Sequence, residues 1–378
     1  MATHEIAQGQ TSANAQSVPD PGWVAAIPTR RRRHLRMWLW TGAALTATTL
    51  VVGGITRLTE SGLSIVDWAP IVGAVPPLND ADWHEAFARY QQYPEYVKLR
   101  PGMTLSEFKV IYFWEYLHRN IGRIIGLTFA LPFLWFWLRG YFNGPILRRM
   151  LFLFGLGAAQ GAMGWYMVSS GLVDQPNVSH YRLAAHLLLA VTIFGTCLWF
   201  ANDLLGRPSQ SVASPLRTST LRTLIGLGAL LTIQIFWGGL VAGLKAGFIY
   251  GTFPFMNGSL LPPNGWVKHP WVINLVDNHA TVQWVHRVVA TLLLFVAITF
   301  AMKVWRNPDL SGLRMGSAAV AGVIVLQYCL GIATLLTHVK IYIAVTHQMT
   351  ALLIVGVLLT LLHRVMHSTP EPQPRSIS

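Results

Sequence analysis

Apolar residues gather into eight runs, at about 37–56, 111–138, 150–170, 182–202, 221–243, 280–302, 317–337 and 342–362. Each is near the ~20 residues a helix needs to cross hydrocarbon, so the pattern predicts eight transmembrane helices. Polar connections separate the runs. Two are long, about 57–110 and 244–279; the turns near 171–181 and 338–341 are short. Residues 1–29 and 368–378 are polar and proline-dotted and are expected to be disordered. The first run follows Arg30–Arg36 and resembles the core of a signal peptide. It is longer than the about 7–15 apolar residues such a core has, so an uncleaved helix is expected.

Basic residues orient the bundle. Five arginines lie between Arg30 and Arg36. Others follow the second run (Arg139, Arg148, Arg149), the fourth (Arg207, Arg217, Arg222), the sixth (Lys303, Arg306, Arg314) and the eighth (Arg364, Arg375). All fall on one side, which predicts that both termini are cytoplasmic. Composition agrees with a membrane protein: 53% of residues are hydrophobic and 11% charged, against about 25% charged in soluble domains. The net charge of +13 forms no single patch, so nucleic acid is excluded as a partner and membrane lipid is expected instead. Cys197 and Cys329 lie within apolar runs and read as small apolar residues.

The chain repeats itself. "VVGGITRLTESGLSI" and "FWGGLVAGLKAGFIY" end the first and fifth runs; "FWEYLHR" and "TVQWVHR" open the second and sixth. Gln160 and Gln327 mark the third and seventh, and "YRLAAH" and "YIAVTH" open the fourth and eighth. Corresponding segments share direction. The predicted fold is an all-α integral membrane protein of two four-helix bundles related by a pseudo-two-fold axis along the membrane normal. The N-terminal bundle spans 30–206 and the C-terminal bundle 207–367.

Each bundle places two histidines at matched depth: His118 and His186, then His286 and His347. One intramembrane histidine often only bonds a neighbouring carbonyl. Two repeated pairs suit the axial positions of haem iron. Zinc and di-iron sites fit less well, because HExxH is absent and Glu115 is the only acid among these helix starts. Arg119, Arg123, Arg182 and Arg287 lie close to the histidines in sequence, and Arg57 ends the first run. Buried arginines need anionic partners, and haem propionates are such partners. For Arg119 an ion pair with Glu115 one turn away also fits. Gly122 and Gly126 suit either a flat macrocycle or close helix packing. The halves differ where Glu115 aligns with Gln283 and Arg182 with Ile343. A proton-transferring site needs an acid–base group; an electron-relaying haem does not. The loop aromatics Trp68, Trp83, Phe87, Tyr90, Tyr93 and Tyr96 fit either an interfacial cover on headgroups or a lid over the helices.

At "GGITRLTESGLSI", "EYLHRNIGR", "HYRLAAHL", "VQWVHR" and "VTHQ" the sequence resembles the haem A synthase family, over about 37–362. The resemblance implies a multi-pass protein of the bacterial inner membrane, or of the corresponding mitochondrial membrane. Its implied activity is oxidation of the C8 methyl of haem O to a formyl group by successive hydroxylation, giving haem A. It implies substrate or product haem in the half with His118 and His186, and haem b relaying electrons in the half with His286 and His347. Glu115 falls on the family's essential glutamate. Haem O synthase and an electron donor are implied partners; homo-oligomerisation stays open. Some members carry a cysteine pair in the first outer loop. This chain has none, as in the proteobacterial and mitochondrial-type branch. On the residues alone, a dihaem b-type electron-transfer cytochrome and a haem carrier remain alternatives.

Overall fold

The computed structural model describes residues 20–25, 27–67, 72–171, 178–205 and 211–371. Its eight long helices are α1 (Thr29–Leu58), α2 (Leu105–Leu138), α3 (Gly144–Gly171), α4 (His180–Asp203), α5 (Ser214–Gly243), α6 (His279–Arg306), α7 (Arg314–Leu336) and α8 (Ile341–Met366). All eight are long and apolar enough to cross a membrane, and the chain is a multi-pass, all-α membrane protein. The only strands among the described residues are β1 (Ser211–Ala213) and β2 (Thr369–Glu371), paired in parallel.

Local signals fix the helix starts beyond what hydropathy gives. α2 begins six residues before its apolar run. There Thr104 and Glu107 form a capping box: the Thr104 N–H donates to Glu107 (2.8 Å), and the Glu107 N–H donates to Thr104 Oγ1 (3.3 Å). Asn278 caps α6 by accepting from the N–H groups of Ala280 and Thr281.

Within each half the first helix packs on the second and fourth: α1 on α2 and α4, α5 on α6 and α8. Separate apolar cores fill the inner portions, around Trp38, Phe129 and Leu198 in one half and Leu227, Phe300 and Leu358 in the other. Phe194 of α4 touches both. The halves meet through α4 against α5 and α1 against α8, in keeping with a two-fold arrangement. The contacts are close because glycine permits them. A Cβ on Gly239 would lie 2.8 Å from Ala184 Cα, and one on Gly243 would lie 2.5 Å from His180 Cα. One difference breaks the repeat: α2 and α3 barely touch, whereas α6 and α7 pack closely.

The expectation of disorder extends too far at both ends. Residues Gly22–Ala25 form a helical turn, with Trp23, Val24 and Ile27 buried. The Trp23 indole N–H donates to Asp203 Oδ2 (3.1 Å). An indole can bury its ring once its one donor is satisfied, so this tryptophan anchors the N-terminal arm. At the other end Ser368 is buried and Thr369–Glu371 pair with β1. Residues 1–19 and 372–378 lie outside the described residues.

The first long connection, between α1 and α2, is folded, not spread. Helices Asp80–Tyr90 and Pro94–Leu99 wrap the projecting first turns of α2. Tyr90 and Phe108 are fully buried against Trp83, Phe87, Tyr96 and Tyr112. Trp68 lies outside the described residues. Trp83, Phe87, Tyr90 and Tyr96 thus share a small core with the start of α2, which holds this segment over the end of the N-terminal bundle; Tyr93 stands outside that core.

Candidate haem and proton-transfer site

Each of the four histidines presents its ring to a glycine on the neighbouring helix. A Cβ on Gly53 would stand 3.0 Å from His118 Nε2. A Cβ on Gly164, Gly238 or Gly331 would stand 3.4, 3.2 or 3.1 Å from Cε1 of His186, His286 or His347. Gly53 and Gly238 are repeat equivalents on α1 and α5; Gly164 and Gly331 lie on α3 and α7. Imidazoles therefore sit flush against glycine backbones inside each bundle. The members of each pair, His118 with His186 and His286 with His347, lie within electrostatic reach of one another.

Three glutamines face these rings. The Nε2 atoms of Gln160 and Gln327 lie 3.3 and 3.4 Å from Nε2 of His186 and His347, and Gln234 Nε2 is 3.1 Å from His286 Nδ1. The carbonyl oxygens of Gln160, Gln234 and Gln327 and the Nδ1 atoms of His186 and His347 are buried without a protein partner. Buried polar atoms are seldom left so. Paired imidazoles ringed by such atoms fit a haem between the helices, with the histidines as the ligating groups.

Glu115 is 2% exposed and held by four hydrogen bonds. Arg119 donates from Nε and Nη2 to Oε1 (3.0 and 2.7 Å). Oε2 accepts from the Ser64 hydroxyl (2.7 Å) and the Ile65 N–H (2.8 Å). Arg119 also donates to the carbonyls of Ile65 (2.7 Å) and Asp67 (3.1 Å). The Glu115–Arg119 pair thus clamps the segment following α1. The second half repeats the clamp with other chemistry. Gln283 donates to the Ala246 carbonyl (2.9 Å), and Arg287 donates to the carbonyls of Tyr250 and Thr252 (both 2.9 Å) and to Gln283 Oε1 (3.2 Å). One half buries an ionisable carboxyl at this position; the other buries an amide.

The remaining arginines divide. Arg57 caps α5, donating to the carbonyls of Ala242 (2.8 Å) and Gly243 (3.2 Å). Arg119 and Arg287 are largely engaged with loop carbonyls. Arg123 donates to Asn120 Oδ1 (3.0 Å), and Arg182 lies 4.2 Å from the Tyr166 ring centroid. Gly122 and Gly126 have nothing within 4 Å of an added Cβ, so close helix packing does not account for them.

Sequence reading missed Ser64, Ile65 and Gln234. Ser64 stands in the quoted "LTESGLSI", but its partner is 51 residues away and only the fold brings the two together. Among the described residues one further group of metal-binding type occurs, Asp203 with His363 and His367 at the other end of the bundle. Asp203 is already used on both oxygens, by His363 Nε2 (2.8 Å) and Trp23. It reads as a clasp joining α4, α8 and the N-terminal arm.

Comparison with known proteins agrees with this architecture. A family model described as a cytochrome oxidase assembly protein (COX15-CtaA) matches residues 36–359. The chain is 48% identical to the haem A synthase of Rhodopseudomonas palustris (strain BisA53) over 88% of this chain and 91% of that protein. It is 44% identical to that of Rhodospirillum centenum over 97% and 95%, and 45% identical to that of Nitrosospira multiformis over 85% and 91%. With paired intramembrane histidines, a buried glutamate one turn before His118 and a match this extensive, the chain belongs to the haem A synthase family of cytochrome oxidase assembly proteins.

Proposed function

We propose that the protein is a haem A synthase: an oxidoreductase that converts the C8 methyl of haem O to a formyl group by successive hydroxylation. The observation that carries the division of labour is the exchange of Glu115 for Gln283 at equivalent, equally buried positions. His118 and His186 hold the substrate haem. His286 and His347 hold haem b, which supplies electron relay when bound. The arginine-rich face lies toward the cytoplasm of a bacterial inner membrane, and both long connections lie on the other side.

Glu115 is built to take and release a proton without rearrangement. The Ser64 hydroxyl has one proton and two acceptors, Glu115 Oε2 at 2.7 Å and the Ser61 carbonyl at 3.1 Å. When Glu115 is ionised, Ser64 donates to it. When Glu115 is protonated, the acid donates to Ser64 Oγ and Ser64 turns to Ser61. Either state leaves each group bonded. Arg119 holds Oε1 throughout, which keeps the carboxyl in one orientation. Glu115 therefore accepts a proton as the ring methyl is oxidised. Arg123 and Arg182 are the arginines best placed to meet propionates; Arg119 and Arg287 set the loops, and Arg57 joins the two halves. The sparse contact between α2 and α3 supports entry of the lipid-soluble substrate there.

Expression with a source of haem O, followed by extraction and mass analysis of haems, tests the activity. Haem A and hydroxylated haem O are expected. Recovery of haem b alone would exclude the enzyme. His286→Ala is expected to abolish the haem b spectrum, and its persistence would refute the ligand pair.

A further inference from the structure

A second glutamate is buried within electrostatic reach of the first. Glu95, in the Pro94–Leu99 helix, is 4% exposed. Its Oε1 lies 3.6 Å from Arg100 Nε, too long for a hydrogen bond. Its Oε2 has no protein partner, and neither does the fully buried Tyr90 hydroxyl. The charged groups facing Glu95 are Arg100, Glu115, Glu60 and Lys245, and Tyr90 responds to Glu95, Arg100 and Glu115. A carboxylate kept for structure would be expected to have its oxygens paired, ideally in bidentate contact with the guanidinium. This one is half-paired.

The turn over residues 59–65 links Glu115 to Arg100, the neighbour of Glu95. On one side Ser64 and Ile65 donate to Glu115. On the other, Arg100 Nη2 donates to the carbonyls of Thr59 (3.1 Å) and Glu60 (3.0 Å). Within the turn the hydroxyls of Thr59 and Ser61 are 2.6 Å apart. Beyond Arg100 lies Glu60, 41% exposed and paired with Lys245. Glu115, the polar turn, Arg100, Glu95 and Glu60 are thus joined by a continuous set of polar contacts.

We propose that Glu95 is the proton-exchange partner of Glu115, connecting that carboxyl to the solution on the loop face. The proposal rests on the reading of Glu115 given above. The proton leaves the Glu115 carboxyl, which returns to carboxylate, and is gained by the Glu95 carboxylate. Glu95 then releases it past Glu60 to solution. Burial pushes Glu95 up to about 8, against the pull of Arg100, so both of its forms are accessible near neutral pH. Glu95 acts through Glu115 and need not touch the haem.

Membranes carrying the full chain and a haem O source are assayed for haem A between about pH 6 and 9, with the haem b spectrum as a check on folding. Glu95 must be ionised to accept, so wild-type haem A formation is expected to rise with pH through its titration. Glu95→Gln is expected to lower formation at least tenfold and flatten that rise, and Glu95→Asp to retain a rise displaced along the pH axis. Wild-type rate and pH profile in Glu95→Gln would overturn the relay. So would a lowered rate with an unchanged profile, which marks a structural role. If Glu95→Gln loses haem b, Glu95→Asp decides: an unchanged profile overturns the proposal and a displaced one supports it. Absence of haem A from wild-type membranes would instead overturn the function itself.

Discussion

The Ser64 hydroxyl lies 2.7 Å from Glu115 Oε2 across 51 residues of sequence. It is the one side chain at this carboxyl that can donate or accept. Ser64→Ala removes that alternation and leaves the Ile65 N–H and Arg119 in place. A hydrogen bond to a charged group contributes about 1.5–3 kcal/mol. The expected outcome is a loss of haem A formation of roughly ten- to a hundredfold, with the haem b spectrum intact. Ser64→Thr keeps the hydroxyl and is expected to recover most of it. The ratio of haem A to haem O in extracts reads both.

Glu115→Gln gives the first half the amide of the second. Gln283 shows that an amide beside arginine can clamp a loop, so the fold is expected to persist. General acid–base groups contribute about 10²–10⁴-fold to rate, and haem A is expected to fall by that order while haem is retained. Haem content by pyridine spectrum and product by mass separate the two effects.

These experiments bear on residues that differed in legibility. The eight helices follow from hydropathy because hydrocarbon demands about twenty apolar residues per span, and each predicted run falls within an observed helix except the seventh, which overruns α7 by one residue at Thr337. The repeat was legible for the same reason that the histidines were: polar residues in an apolar segment stand out. The arginines were less so. Sequence places Arg287 beside His286 and Arg57 at the end of the first run but does not show that carbonyls of Tyr250 or Ala242 come to meet them. Loop carbonyls have no sequence signature. The same holds for Glu95, whose burial in a short, polar helix has no pattern in the sequence, and for Trp23, whose partner Asp203 is 180 residues away. The α2 extension was within reach, since "TLSE" before an apolar run is a capping box.

The glycine seam between the halves gives a stability test. Ala at 243 would bring Cβ within 2.5 Å of His180 Cα, and Ala at 239 within 2.8 Å of Ala184 Cα. Backbone cannot yield as a flexible side chain does. Each substitution is expected to cost about 1–3 kcal/mol and to lower the thermal midpoint in detergent. Gly122→Ala meets nothing within 4 Å and is expected to leave the midpoint unchanged or raised, because alanine favours helix. Parallel thermal melts of the three variants check the contrast.

Glu95 also makes stability depend on pH, in a direction that follows from burial. Its folded-state value is pushed up from 4.5 to about 8. Below 4.5 the acid is protonated folded and unfolded, and its neutral form contributes fully. Between 4.5 and 8 the unfolded chain releases a proton that the folded chain retains, so stability falls as pH rises. Above 8 both states are ionised and the loss is complete. The cost grows by about 1.4 kcal/mol per pH unit at most. Glu95→Gln stays neutral and is spared it. Relative to wild type, this variant is expected to melt at a similar temperature near pH 4.5 and at a higher one near pH 8.5. Other titrating groups cancel in the difference. A variant less stable than wild type at the alkaline end would mean that Arg100 stabilises the Glu95 carboxylate by more than burial destabilises it. Greater stability together with lost turnover would separate the work of this acid from the integrity of the fold.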